Sequence, residues 1–88
     1  MVIETDPVFD KSLKKRILLY PKLVKRFKER LKLFSQERNH PSLKDHPLTG
    51  SLIGYRAFSI NGDIRIIYRL ISNNHVILYD IGSHNQVY

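Results

Sequence analysis

An α+β fold, with a two-helix hairpin packed on one face of a four-stranded sheet, is the class the sequence predicts. Three observations carry it. Apolar residues recur at helical spacing from Val8 or Phe9 to Phe34, and three β-rich runs separated by turn residues follow. The 88 residues contain no cysteine, so neither a disulfide framework nor a thiolate metal site can supplement a small core. Residues 1–88 are expected to form a single domain around one hydrophobic core.

The first element is a short strand in MVIET, which carries the β-branched residues that suit one. Asp6 is then placed to cap a helix, with Pro7 at the first helical position, where its missing N–H costs nothing. Val8 or Phe9, Leu13, Ile17 and Leu18 form its apolar stripe as far as Pro21, which disfavours helical geometry at Tyr20 and suits the start of a second helix. Leu23, Val24, Phe27, Leu31 and Phe34 mark that second helix over 22–37. The run RNHPSLKDHPLTGSLI, residues 38–53, has two prolines, one glycine and no period, and reads as an ordered connection. GYRAFSI follows and ends at Asn61-Gly62, a two-residue hairpin signal; IRIIYRLI ends at Ser72-Asn73-Asn74, and HVILYDI comes next. These three strands predict an antiparallel meander, with the sheet face away from the helices left available. After the last strand Gly82 is expected to break the pairing and release the polar run Ser83-His84-Asn85-Gln86.

The net charge is +7 and is unevenly placed. Lys14, Lys15, Arg16, Lys22, Lys25, Arg26, Lys28, Arg30 and Lys32 share their stretch with one acidic residue, Glu29. Such a field concentrates polyanions, nucleic acid first, then an acidic protein, then an anionic membrane; a merely solvated helical face is the plainer alternative. Lys14, Lys15, Lys22, Lys25, Arg26 and Arg30, with Arg56 in the sheet, are the candidate RNA-contacting cations. The longest apolar runs fall far short of the ~20 residues that cross a bilayer, and MVIETDPVF lacks the basic start and cleavage site of a secretion signal. A soluble, cytoplasmic protein without a membrane partner is expected.

Charged and imidazole groups are sparse in the second half: Arg56, Asp63, Arg65, Arg69 and Asp80, with His46, His75 and His84. Two histidines near one open face can take and give protons near neutrality, and an arginine fork can hold a phosphate as charge grows on it. Assembled without a metal, these groups suit RNA cleavage by the ribose 2′-hydroxyl, a reaction closed to DNA. The structural alternatives are a framework role for His75, a solvated Arg69 and an Asp80 that flanks a turn. No glycine-rich phosphate loop, G-x-S-x-G elbow or cysteine nucleophile is present. His40 and His46 have no zinc-like spacing, and no cofactor is expected.

The stretch KDHPLTGSLIGYRAFSINGDIRIIYRL, with ILYDIGSHNQVY after it, resembles the RelE/ParE toxin superfamily and most closely its YafQ-type mRNA interferases. The resemblance is carried by the D-H-P-L-x-G-S-x-x-G-Y-R run over residues 44–88, and by element order alone over 1–43. It implies a RelE-like fold and the toxin of a type II toxin-antitoxin pair, a ribosome-dependent endoribonuclease neutralised by an acidic cognate antitoxin. Operator DNA would be bound only through the antitoxin complex. The family's working residues fall on His46, Asp63, His84 and Tyr88, and Arg65 matches the arginine that RelE relatives place on the scissile phosphate. His84 is then the expected acid, His46 or Asp63 the base or the group that orients it, Arg65 the phosphate ligand and Tyr88 a stacking or hydrogen-bonding contact. Two positions depart from the YafQ pattern: Ser59 stands where that branch has a further histidine, and Ile64 where it has tryptophan. The same superfamily offers two other outcomes, a ParE-like inhibitor of DNA gyrase and a degenerate toxin that acts only within a repressor complex.

Overall fold

Asp6 starts the first helix as its chemistry dictates: its carboxylate accepts the Val8 N–H at 2.8 Å, with Pro7 in the first turn. The computed structural model describes all 88 residues. Strand β1 (Val2–Thr5) leads into α1 (Pro7–Arg16) and then α2 (Pro21–Gln36). Helix α1 ends one turn before the expected limit, with Ile17 as its C-cap, its N–H donating to the Leu13 carbonyl. Phe9 and Ile17 are fully buried, whereas Val8 and Leu18 are roughly half exposed. The choice left open between Val8 and Phe9 therefore falls on Phe9. Helix α2 keeps its whole stripe: Phe34 is buried, and Leu23, Val24, Phe27 and Leu31 pack against the core.

The sheet has five strands in the order β1-β5-β4-β3-β2, not four. The additional strand, β2, is only His46–Pro47, paired antiparallel with Ala57 and Arg56 of β3 (Arg56–Ser59). Two residues are too few to show a period, and Pro47 is tolerated because the strand lies on an edge. Short 3₁₀ turns at Pro41–Leu43 and Gly50–Leu52 flank β2, so the connection over 38–53 is ordered and carries a piece of sheet. Strands β4 (Ile64–Ser72) and β5 (His75–Ser83) form the long antiparallel centre, and β1 joins β5 in parallel, Val2 opposite His75.

Two turns differ from the sequence reading. Asn61-Gly62 does not make a two-residue turn with left-handed residues. Instead the Asn61 side chain accepts the N–H groups of Asp63 and Ile64, and Ile60 N–H reaches the Ile64 carbonyl. Gly82 does not break β5: it is buried inside the strand, opposite Arg65. The polar run after it folds as a one-turn helix, α3 (His84–Val87).

One cluster joins the helices to the sheet: Phe9, Ile17 and Phe34 meet Phe58, Ile60, Ile66, Tyr68, Val76, Leu78 and Ile81. At its centre Phe34 stacks on Phe58 at 4.1 Å between centroids and meets Tyr68 edge-on at 5.0 Å. Such pairs each add about 0.5–1.5 kcal/mol beyond area burial. Strand alternation turns Ala57, Ser59, Arg65, Ile67 and Arg69 to the opposite face, and the β2 register places His46 there beside Ala57.

Candidate active site

Helix α3 is held by a local hydrogen bond and by a close approach. Ser83 N–H donates to Gln86 Oε1 at 2.8 Å, the glutamine half of a capping box. A Cβ on Gly82 would stand 2.8 Å from both Gln86 Oε1 and Arg16 Nη1 and 3.1 Å from Gln86 Cβ. Glycine is needed here for proximity. The turn of α3 is thereby pressed back onto the end of β5.

That turn brings three of the expected site residues together. Arg65 Nη1 lies 2.8 Å from His84 Nδ1, the His84 and Tyr88 rings meet edge-on at 4.6 Å, and the Arg65 guanidinium carbon stands 5.8 Å from the Tyr88 ring centre. A guanidinium can only donate, so His84 Nδ1 accepts and Nε2 carries the ring proton. His84 and Tyr88 are both exposed, so these groups face solvent ready for a ligand.

His46 faces Tyr88 across an open cleft of about 420 Å³ walled by residues 46–52 and Tyr88. Its Nδ1 is 2.9 Å from the Lys44 carbonyl, which can only accept; Nδ1 is therefore protonated and Nε2 presents a lone pair. The two histidines thus hold opposite tautomers around Tyr88. The residue before His46 fixes its place. Asp45, 5% exposed, accepts from Arg56 Nε at 2.8 Å, lies 3.5 Å from Arg38 Nη1 and takes a short hydrogen bond from the Tyr68 hydroxyl. Burial, and then that bond to the carboxylate, push the Tyr68 phenol up to about 12 against the opposing pull of Arg38. Arg56 is also raised: burial works against its charge, but the Asp45 and Tyr68 contacts outweigh it.

Asp63 stands apart from the histidines. It is exposed and lines a separate hollow with Lys15, Arg16 and Tyr20, while the His46 and His84 rings are oriented by Lys44 and Arg65. Neither imidazole leans on Asp63 here.

The expected RNA-contacting cations divide into three kinds. Lys14, Lys15, Lys22 and Lys25 are exposed on the helices. Arg56 is bound to Asp45. Arg26 and Arg30 reach from α2 to the end of β3: Arg26 Nε donates to the Ile60 carbonyl at 2.9 Å, and Arg30 to the Ser59 carbonyl at 3.3 Å and to Ser42. They line a polar notch of about 230 Å³ with Lys44 and Arg65. Of the groups held open in the sequence, His75 lies 3.4 Å from Glu4 across β1 and β5, and Asp80 binds Arg16. Arg69 lines a shallow hollow with Tyr55 and Tyr79. Sequence reasoning missed Asp45, Arg38, Tyr68 and Lys44, whose roles depend on contacts between distant segments. Gln86 had a readable signal, Ser-x-x-Gln ahead of a short helix.

Comparison with known proteins bears on the family and the fold. A family model described as the bacterial toxin of a type II toxin-antitoxin system, YafQ, matches residues 1–88. The structure is similar to YafQ from E. coli strain BL21(DE3), at 25% identity and TM-score 0.77, over 98% of this chain and 96% of the other. It is also similar to YafQ in the E. coli DinJ-YafQ toxin-antitoxin complex, at 26% identity and TM-score 0.74 over 98% and 94%. A metal-bound toxin from Helicobacter pylori matches at 29% identity and TM-score 0.75 over 100% and 99%. No curated protein matches the sequence.

Proposed function

Because the chain belongs to the YafQ family of bacterial toxins of type II toxin-antitoxin systems, we propose that it is an endoribonuclease that cleaves mRNA in the ribosome by attack of a ribose 2′-hydroxyl. The observation that carries this reading is the position of Tyr88, which walls the His46 cleft and packs against His84, so that one group joins two imidazoles of opposite tautomer.

His46 Nε2 takes the proton from the 2′-hydroxyl, and the oxygen attacks the adjacent phosphorus. The bond from phosphorus to the 5′-oxygen breaks, its electron pair stays on that oxygen, and His84 supplies the proton. The products are a 2′,3′-cyclic phosphate and a 5′-hydroxyl. Arg65 holds the phosphate oxygens as charge develops. A doubly protonated His84 has no lone pair for Arg65, so arming it as the acid requires Arg65 to turn from the ring to the phosphate. Substrate arrival does both at once. Tyr88 supplies an aromatic face for a base, a role tryptophan would share in relatives where Ile64 stands here. Ser59 adds no proton carrier, which leaves the acid-base work to His46 and His84.

The partner this reading implies is a cognate acidic antitoxin, supported by the DinJ-YafQ complex, in a cytoplasmic toxin-antitoxin pair. The test is inducible expression with and without His84→Ala, reading growth, translation and new mRNA 5′ ends by primer extension. The native chain should arrest growth and cut mRNA, and the variant should lose about 100-fold or more of cleavage. Equal arrest by both, no new ends, or gyrase inhibition that survives His84→Ala would overturn the reading.

A further inference from the structure

Six of the seven arginines fall into two sets; the seventh, Arg69, lines the hollow with Tyr55 and Tyr79. Arg16, Arg38 and Arg56 each stand within 3.5 Å of an aspartate carboxylate. Arg26, Arg30 and Arg65 form no ion pair, yet they converge with Lys44 on one notch whose other walls are Ser42, Ser59, Asn61 and Gly62. Every hydrogen bond that Arg26, Arg30 and Arg65 make goes to a neutral acceptor: a backbone carbonyl, the Ser42 hydroxyl or the His84 ring. Those bonds fix two of the guanidinium groups in place without neutralising them. Burial, and then the charge of Arg26, lower the Arg30 pKa, as expected where like charges gather without a counterion.

We propose that this notch is a second phosphate site, which holds a backbone phosphate of the RNA strand next to the one engaged by Arg65 and His84. Arg65 is shared: one nitrogen meets His84, and the side chain also walls the notch. Two adjacent phosphates on one strand are the anion pattern that a shared arginine fits. A site of about 230 Å³ lined by no apolar residue suits a hydrated phosphate rather than a base. The second site fixes the register of the strand, so that the phosphate between His46 and His84 is the one cut. An acidic protein segment carries the same sign of charge, and it is the competing occupant that the experiment must separate.

The proposal rests on the reading of the chain as an RNA-cleaving toxin, but its test does not need cleavage. The full chain is titrated with a fluorescent six-nucleotide RNA carrying 2′-O-methyl groups, which cannot be cut, over a range of salt concentrations. Lys44→Gln is the main variant, because the exposed Lys44 side chain makes no hydrogen bond or ion pair. Arg26→Gln is the second, keeping a donor for the Ile60 carbonyl. Lys11→Gln, on α1 and outside the notch, removes the same charge as a control. Lys44→Gln and Arg26→Gln should each weaken binding about 3- to 10-fold and lower the slope of log affinity against log salt by about 0.7, with Lys11→Gln near native. Equal losses in all three variants would mean a diffuse field and overturn the site. So would native affinity in both notch variants, or notch variants that lose binding to a poly-glutamate peptide while keeping RNA. Loss of cleavage in His84→Ala with this binding pattern intact would sustain both readings. An intact binding pattern in a chain that cuts no mRNA would sink the nuclease alone.

Discussion

Arg56 and Arg65 lie in neighbouring strands of one sheet and have opposite surroundings. Arg56 points to the helix side, onto the buried carboxylate of Asp45, and with Arg38 and Tyr68 it anchors the segment that ends in His46. Arg65 points to the other face, with a histidine, an aromatic ring and two further arginines nearby and no carboxylate in ion-pair range. A cation whose charge is matched within the protein can serve the scaffold; one left unmatched is available to an incoming anion. A net charge of +7 by itself does not distinguish the two.

Substitutions can break or sharpen this contrast. The largest effect is expected at Arg65: Arg65→Ala should lower mRNA cleavage about 100-fold or more while the melting curve stays within ~0.5 kcal/mol of native, as checked by primer extension and denaturant unfolding. A large loss of stability there would place Arg65 with the scaffold. Asp45→Ala should do the reverse. It strands two arginines that remain a quarter exposed, so the cost is about 2–4 kcal/mol, and residual activity should follow the folded fraction measured by circular dichroism. Tyr88→Ala removes the aromatic face and should cost about tenfold in cleavage with little change in stability.

The smallest effects concern Tyr68 and Gly82. Tyr68→Phe should cost about 1 kcal/mol at neutral pH. Its phenol is raised from about 10 unfolded to about 12 folded, so the folded state favours the neutral form. That contribution is complete below pH 10 and is lost as pH rises from about 10 to 12, so the native chain should weaken across this window more than Tyr68→Phe does. Unfolding measured at pH 8 and at the highest pH the chain tolerates would show parallel losses if the phenol were unshifted. Gly82→Ala should displace Gln86 and Arg16 at about 1 kcal/mol and lower activity by loosening α3, visible as a reduced melting temperature and a partial loss of cleavage.

What the sequence disclosed follows from the range of each interaction. The Asp6-Pro7 start and the α2 stripe are local chemistry, and both stand as read. Site residues matched by motif, His46, Arg65, His84 and Tyr88, converge because the strand register fixes them once the helices choose a face. Asp63 was matched by the same motif, yet it turns toward Lys15 and Tyr20, because Asn61 builds a longer loop than the Asn-Gly pair suggested. The pairing state of an arginine is not local at all. Arg38 and Tyr68 are 30 residues apart, and no periodicity announces that Asp45 joins them. Strand β2 escaped for another reason: two residues with a proline at the edge leave no alternation to detect.

The parallel seam between β1 and β5 also bears on the order in which the chain acquires its form during synthesis. Val2 to Thr5 emerge more than seventy residues before their partners, His75 to Leu78. Until then β1 has no neighbour, and closing so long a loop is a late event on any folding route. His84 and Tyr88 emerge later still. A nascent chain therefore carries β1 unpaired until β5 has been made, and His84 and Tyr88 can meet Arg65 only after the sheet they close on has its central pair.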